Sequence, residues 1–316
     1  MIVRRAIFFI LVMVMIAPLR AQEADPDETG RHLAAMRARL DDETIDLGTR
    51  ADLALETAAT LDRAARAEPK LDARLERWDA AVALLDDFSK KNDGLPRKRE
   101  LNLQAGVYRW AEARAWHDQH ALFPADARAR AEETAALDDA IARLRLIVGG
   151  EPGGLTDNVR FRLAWALSDR ASLEPPDSPT ARLRRDEALD LLKKPPTEAS
   201  LAGFHALLKA GLLSDEGKID EAAAQVAVAA KATSPPPDAE ILEVLVPILF
   251  ARRGFAEARK AVEAMTISDT EKALWRVRID LSEWKAADPG ESGRPRRRQL
   301  EEDLLKQVQA LRTARS

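Results

Sequence analysis

Pro69, Pro96, Pro124 and Pro152 fall 27, 28 and 28 residues apart, and apolar residues between them recur three and four apart. In Leu71, Leu75, Trp78, Val82 and Leu85 the steps are 4, 3, 4 and 3. In Leu137, Ile141, Leu144 and Val148 they are 4, 3 and 4. Such steps line one face of an α-helix. Proline fits a helix's first turn or the residues just past its end. Sustained alternation of β-branched and aromatic residues with polar ones, the mark of a strand, is missing. The chain is therefore read as consecutive helices separated by proline. The pattern predicts helices over 30–41, 44–67, 70–91, 98–119, 126–148, 156–172, 180–193, 197–214, 218–232, 238–252, 255–265, 269–287 and 296–314. Short connections imply antiparallel hairpins. Pro247 falls inside the apolar run Ile241–Phe250, so a kinked helix is expected there. The loops at 149–155 and 172–179 are rich in Gly, Pro, Asp and Ser. A boundary near 150 would separate N-terminal hairpins (31–150) from a second array (151–316).

Composition narrows the class. With 46% hydrophobic and 32% charged residues, the chain is neither a polytopic membrane protein nor disordered. It has no cysteine, which excludes disulfides, a thiol nucleophile, Cys-ligated zinc and iron–sulfur clusters. The 58 alanines allow close helix packing. A net charge of −4 argues against nucleic acid or an anionic membrane as partner.

Residues 1–21 differ from the rest. Arg4 and Arg5 precede the twelve-residue apolar run Ala6–Ala17, Pro18 breaks it, and Ala21 offers a cleavage point. That order is the grammar of a secretory signal peptide. Twelve helical residues span about 18 Å, short of the ~30 Å hydrocarbon core. The expected location is periplasmic or secreted, with cleavage after Ala21, no membrane span in the mature chain, and residues 22–30 as a disordered leader.

Three segments are self-similar: Arg185–Leu192, Gly217–Val226 and Arg253–Val262. Their Glu-Ala pairs, Glu187-Ala188, Glu221-Ala222 and Glu257-Ala258, are 34 and 36 residues apart. Gly217, Ile219, Ala222, Val226, Ala229 and Pro235 form the fullest copy; Leu249, Phe255, Ala258 and Val262 form the next, with its glycine (Gly254) displaced by one. Over 180–266 the chain resembles the tetratricopeptide repeat. The resemblance implies an all-α solenoid of stacked antiparallel hairpins that holds a peptide or partner domain on a concave face. Each hairpin is too thin to bury its own apolar face, so stacking completes the core. A compact helical bundle is the alternative architecture.

The candidate chemistry is sparse. His117 and His120, with Glu112 and Asp118 nearby, could share a helix face for a metal, but no third ligand is identifiable, so the pair reads as a polar helix end. Ser168, Ser200 and Ser214 lack a nucleophile elbow. The loop 149–154 is Gly-rich, yet neither a preceding strand nor a following Lys-Ser/Thr makes it a phosphate cradle. Asp41-Asp42, Asp86-Asp87 and Asp138-Asp139 read as solvated helix faces. The basic run Arg294–Arg298 is offset by Glu301, Glu302 and Asp303 and reads as a basic loop entering a capping helix, Gln299–Arg312. Aromatic and Arg residues cluster at Tyr108–Trp116 and Arg160–Arg170. Trp110 and Trp116 cannot both face the same side as Tyr108 and Ala111, so at least one is expected to be exposed. Trp and Arg are favoured at binding hot spots, which makes Arg109, Trp110, Arg114, Trp116, Arg160 and Arg162 the candidate partner-binding residues. The expectation is an exported, non-enzymatic protein-binding scaffold with no cofactor or metal; a cell-envelope enzyme or enzyme accessory acting on glycan is the alternative.

Overall fold

The computed structural model describes residues 26–92, 94–95, 97–149, 154–288, 290 and 293–313. The segment 1–21 read as a signal peptide, Pro96, Pro152 and most of the Gly-rich loop lie outside the described residues.

Thirteen helices and no strand occur among the described residues. They are α1 (Pro26–Leu40), α2 (Leu47–Ala67), α3 (Leu71–Lys91), α4 (Lys98–Leu122), α5 (Ala127–Val148), α6 (Gly154–Ser172) and α7 (Pro179–Leu191). There follow α8 (Ala199–Asp215), α9 (Ile219–Ala230), α10 (Asp238–Ala251), α11 (Phe255–Ala264), α12 (Asp269–Ala286) and α13 (Arg294–Thr313). Helix α1 starts inside the stretch read as a leader. Pro26 suits a first turn, where its missing N–H would be unpaired anyway. The helix around Pro247 continues from Asp238 to Ala251.

Local chemistry sets the starts. Asp46 accepts from Thr49 N at 3.0 Å to cap α2, and Asp126 accepts from the Arg128 and Ala129 amides to cap α5. Ser178 caps α7, with Pro179 at its first position. Ser268 and Glu271 form a reciprocal capping box on α12. Each such cap satisfies amides that the helix itself cannot.

The chain divides into two compact units, one ending at Thr197 and one running from Glu198. The loop near residue 150 lies inside the first unit, because α5 and α6 on either side of it pack together. Within each unit successive helices pack on one another, and short connections make neighbours antiparallel. Alternate helices also meet, but on one side of each stack: α2 touches α4, α4 touches α6, and α8 touches α10. Each unit is thus a solenoid-type stack drawn together along its even-numbered helices. The first buries Leu61, Trp78, Val82, Leu85, Leu101 and Tyr108 in a continuous core. The second buries Leu242, Val246, Ala258, Val262, Trp275 and Ile279.

The second unit repeats at 36 residues. After α8 the chain turns through Gly217, at φ 77°, with Lys218 N bonded to Leu213 O and Gly217 N to Ser214 O. After α10 it turns through Arg253, at φ 56°, with Gly254 N bonded to Leu249 O and Arg253 N to Phe250 O. Both are Schellman turns. The displaced glycine of the second copy leaves an arginine in the left-handed position. Ala222 and Ala258, and Val226 and Val262, occupy equivalent buried sites in α9 and α11. Glu187-Ala188 is not a third equivalent: it lies near the end of α7, whereas the other two pairs open their helices.

Candidate functional site

Helix α4 is surrounded. It packs on α3 and α5 and also touches α2 and α6. This corrects one expectation: Trp110 (7% exposed) and Trp116 (6%) are both buried, because more than one face of α4 is covered. The Trp110 indole N–H donates to Asp169 at 2.8 Å, and its ring lies 5.1 Å from that of Trp165. Phe161 meets Trp165 edge-on at 5.4 Å. The guanidinium of Arg114 rests 5.5 Å from Trp110 and 5.8 Å from Trp165, a cation–π arrangement on an otherwise exposed side chain. Arg128 covers Trp116 in the same way at 5.6 Å.

Two other candidate arginines are tied into the framework. Arg109 reaches Asp79 at 2.5 Å, Glu112 at 2.6 Å and Asp139 at 3.1 Å, linking α3, α4 and α5. Arg160 pairs with buried Asp157, which also accepts from the Thr197 amide at 2.6 Å and from its hydroxyl at 2.5 Å. That pairing closes the end of the first unit.

Arg162 is different. Its Nε donates to Asn158 Oδ1 at 2.7 Å, and among the described residues no carboxylate pairs with it. Burial, and then the charge of Arg66 on α2, lower its pKa. Arg66 is held in the same manner, its Nε bonded at 3.0 Å to Asp62, four residues earlier. Arg66 was not visible as a site residue in the sequence, since its charge acts on Arg162 from a helix almost a hundred positions away.

At the far end of α4, His117 Nδ1 meets Glu133 Oε1 of α5 at 2.7 Å. Glu133 is 2% exposed, and its second carboxylate oxygen has no hydrogen-bond partner. The bond to Glu133 raises the His117 pKa against the effect of burial. Burial raises the carboxyls of Asp118 and Asp169. His120 does not join His117; it is buried with its Nδ1 unbonded. Among the described residues, no group of three or more His, Asp or Glu side chains is placed to hold a metal ion.

The basic run belongs to α13 itself. Arg296 pairs with Glu283 at 2.7 Å, Arg297 lies 4.4 Å from the Trp284 ring, and Trp284 donates to Glu301 at 2.8 Å. These contacts fasten α13 to α12. Among the described residues no helix is long and apolar enough to cross a membrane.

These features define an all-α protein of stacked helical hairpins with an arginine- and tryptophan-bearing face. No protein-family model matches the chain, and no curated protein is similar to it in sequence. It is similar to the solved structure of Nro1, a hypoxic regulator of sterol synthesis described as a nuclear import adaptor. The likeness has a TM-score of 0.50 at 13% identity and covers 89% of this chain and 95% of that one. At such low identity it establishes a common helical fold.

Proposed function

We propose that this chain is an exported, non-enzymatic scaffold of tetratricopeptide-like type, binding a peptide or a partner domain of another protein along α2, α4 and α6. The carrying observation is that α2 and α6 each touch α4, with the Arg114 guanidinium of α4 lying 5.8 Å from the Trp165 ring of α6. Rigid helices that present partly exposed Trp and Arg side chains bind without large ordering losses. The two hairpins repeating at 36 residues support the family resemblance. The structural likeness to Nro1, described as a nuclear import adaptor, is consistent with a scaffold role. Export is supported by Arg4-Arg5, the apolar run and Ala21.

The test has two arms. Cell fractionation with N-terminal sequencing should find the chain outside the cytoplasm, starting at Gln22. Pull-down from envelope extracts should yield a stoichiometric protein partner that is lost on Arg114→Ala combined with Trp165→Ala while helicity is retained. A cytoplasmic, uncut chain sinks export, and a partner indifferent to both substitutions sinks this face.

The rival reading, an envelope enzyme or accessory acting on glycan, draws on the raised carboxyl of Asp169 beside the tryptophans. It requires turnover of wall glycan that disappears in Asp169→Asn.

A further inference from the structure

Helices α4 and α6 meet through two pairs of side chains, each pair spaced four residues apart and so stacked on one helix face: Trp110 and Arg114 on α4, Trp165 and Asp169 on α6. The four close a square. The Trp110 indole donates to Asp169 at 2.8 Å, and its ring lies 5.1 Å from that of Trp165, the two inclined at 57°. The Arg114 guanidinium sits nearly equidistant from both rings, at 5.5 and 5.8 Å.

Arg114 is held by little else. It is exposed, and among the described residues it makes no hydrogen bond and no ion pair. Neighbouring arginines are fastened by carboxylates: Arg109 by Asp79 and Glu112, Arg143 by Asp86, Arg170 by Asp138 and Glu174. Two acids beside Arg114 lack a cation as well. Asp169 accepts only from a neutral indole, and Asp118 stands one turn beyond Arg114 on α4; among the described residues neither is ion-paired. Glu133, the third acid at this end of α4, already has His117 at 2.7 Å. Asp118 and Asp169 are half-buried, and burial raises both carboxyls, so a cation brought beside them is favoured. Electron-rich ring faces with a carboxylate at their edge are the chemistry that takes up a guanidinium or an ammonium group.

We propose that this square is the seat for one arginine or lysine side chain of a bound peptide, and that Arg114 is an occupant supplied by the chain itself, displaced when the peptide docks. This deepens the scaffold reading and rests on it, since it names what the partner carries at this point of the face. The incoming cation lies over Trp110 and Trp165 as Arg114 does and, arriving from outside, pairs with Asp169 too. A chain of net charge −4 attracts such a peptide.

The experiment uses the full chain with 15N-labelled indoles. The Trp110 and Trp165 signals are assigned from Trp110→Phe and Trp165→Phe. Four capped peptides are titrated at matched ionic strength: acetyl-Gly-Arg-Gly-amide, acetyl-Gly-Lys-Gly-amide, acetyl-Gly-Gln-Gly-amide and acetyl-Gly-Glu-Gly-amide. Magnesium chloride tests whether the acids respond to any cation. The expected result is a saturable shift of both indole signals with the arginine peptide, the lysine peptide or both, and none with the other two. The tighter of the cationic pair identifies the side chain.

Arg114→Ala is the decisive variant. It vacates the seat, so affinity for the cationic peptide should rise about fivefold with helicity unchanged. An arginine that only packs on the rings gives no such gain. Asp169→Asn keeps an oxygen for the Trp110 N–H and removes the charge, so affinity should fall about tenfold. Equal shifts with the glutamine peptide, no saturable shift, a stronger response to magnesium than to either cationic peptide, or unchanged or weaker binding in Arg114→Ala would each overturn the seat. A protein partner captured undiminished by Asp169→Asn, yet lost with the Trp165 ring, would sink the seat and leave the scaffold reading intact.

Discussion

Two backbone positions in the second unit test the repeat one residue at a time. Gly217 and Arg253 occupy the same left-handed turn, 36 residues apart, but only one of them is the residue such a turn favours. An L-residue there costs roughly 1–2 kcal/mol. Arg253→Gly should therefore stabilise the chain by about 1 kcal/mol, and Gly217→Ala should destabilise it by about as much. Urea denaturation midpoints report both. Gly203 makes a different demand. A Cβ at this position would meet the Ser234 carbonyl oxygen at 2.6 Å and Pro236 Cδ at 2.8 Å, so α8 can lie against the 232–237 loop only without a side chain. Gly203→Ala should cost about 1–3 kcal/mol, read in the same denaturation series. The sequence exposed part of this. Gly217 was recognisable from its place before Ile219 and Ala222. The role of Arg253 was hidden, because a displaced glycine looks like a weaker motif and not like a strained turn.

At the scale of the element, α4 shows where periodicity stops informing. Its apolar spacing marks a helix, but a helix touched by four others needs apolar or well-paired residues around much of its circumference. A rule that assigns one buried face therefore exposes a tryptophan that the fold covers. The bonds that fasten α4 join residues far apart in the chain: Trp110 to Asp169, and His117 to Glu133. No local spacing announces either acid. The His117–Glu133 bond predicts how α4 holds α5 as pH changes. The folded chain keeps the His117 proton more tightly than the unfolded chain, whose histidine titrates near about 6.5. The stabilisation is thus complete below about pH 6.5 and is lost as pH rises through the higher folded value. The raised carboxyls of Asp118 and Asp169 act in the same direction at lower pH. Denaturation midpoints should fall as pH rises above about 6.5, and Glu133→Gln should flatten that slope and return the His117 imidazole signal in NMR titration toward about 6.5. In the second unit, Trp275 of α12 is fully buried against residues from α10 and α11. Trp275→Ala should cost about 3–5 kcal/mol, with hydrogen exchange accelerating first in α12.

At the scale of the whole molecule, each unit owns a core. Helix count and class were legible from proline spacing and steps of three and four. The division between Thr197 and Glu198 was not, because it follows from which helices touch and not from loop composition. The glycine-rich stretch near 150 reads as a seam, yet the helices flanking it pack together. Asp157, which accepts two hydrogen bonds from Thr197, secures the last residue of the first unit. Fragments 22–197 and 198–316 should accordingly each show helical circular dichroism and a cooperative urea transition when produced separately. A fragment that remains unfolded would mean that its core is completed from outside.

The matching turns of the second unit also bear on how such a chain can change over generations. Helices that lean mainly on their nearest neighbours form a structure with no keystone. A 36-codon stretch copied in frame would splice another hairpin beside those already present, with Ala222 and Ala258 as the template for its seam. Duplication could then lengthen the protein while the older segments kept their own packing.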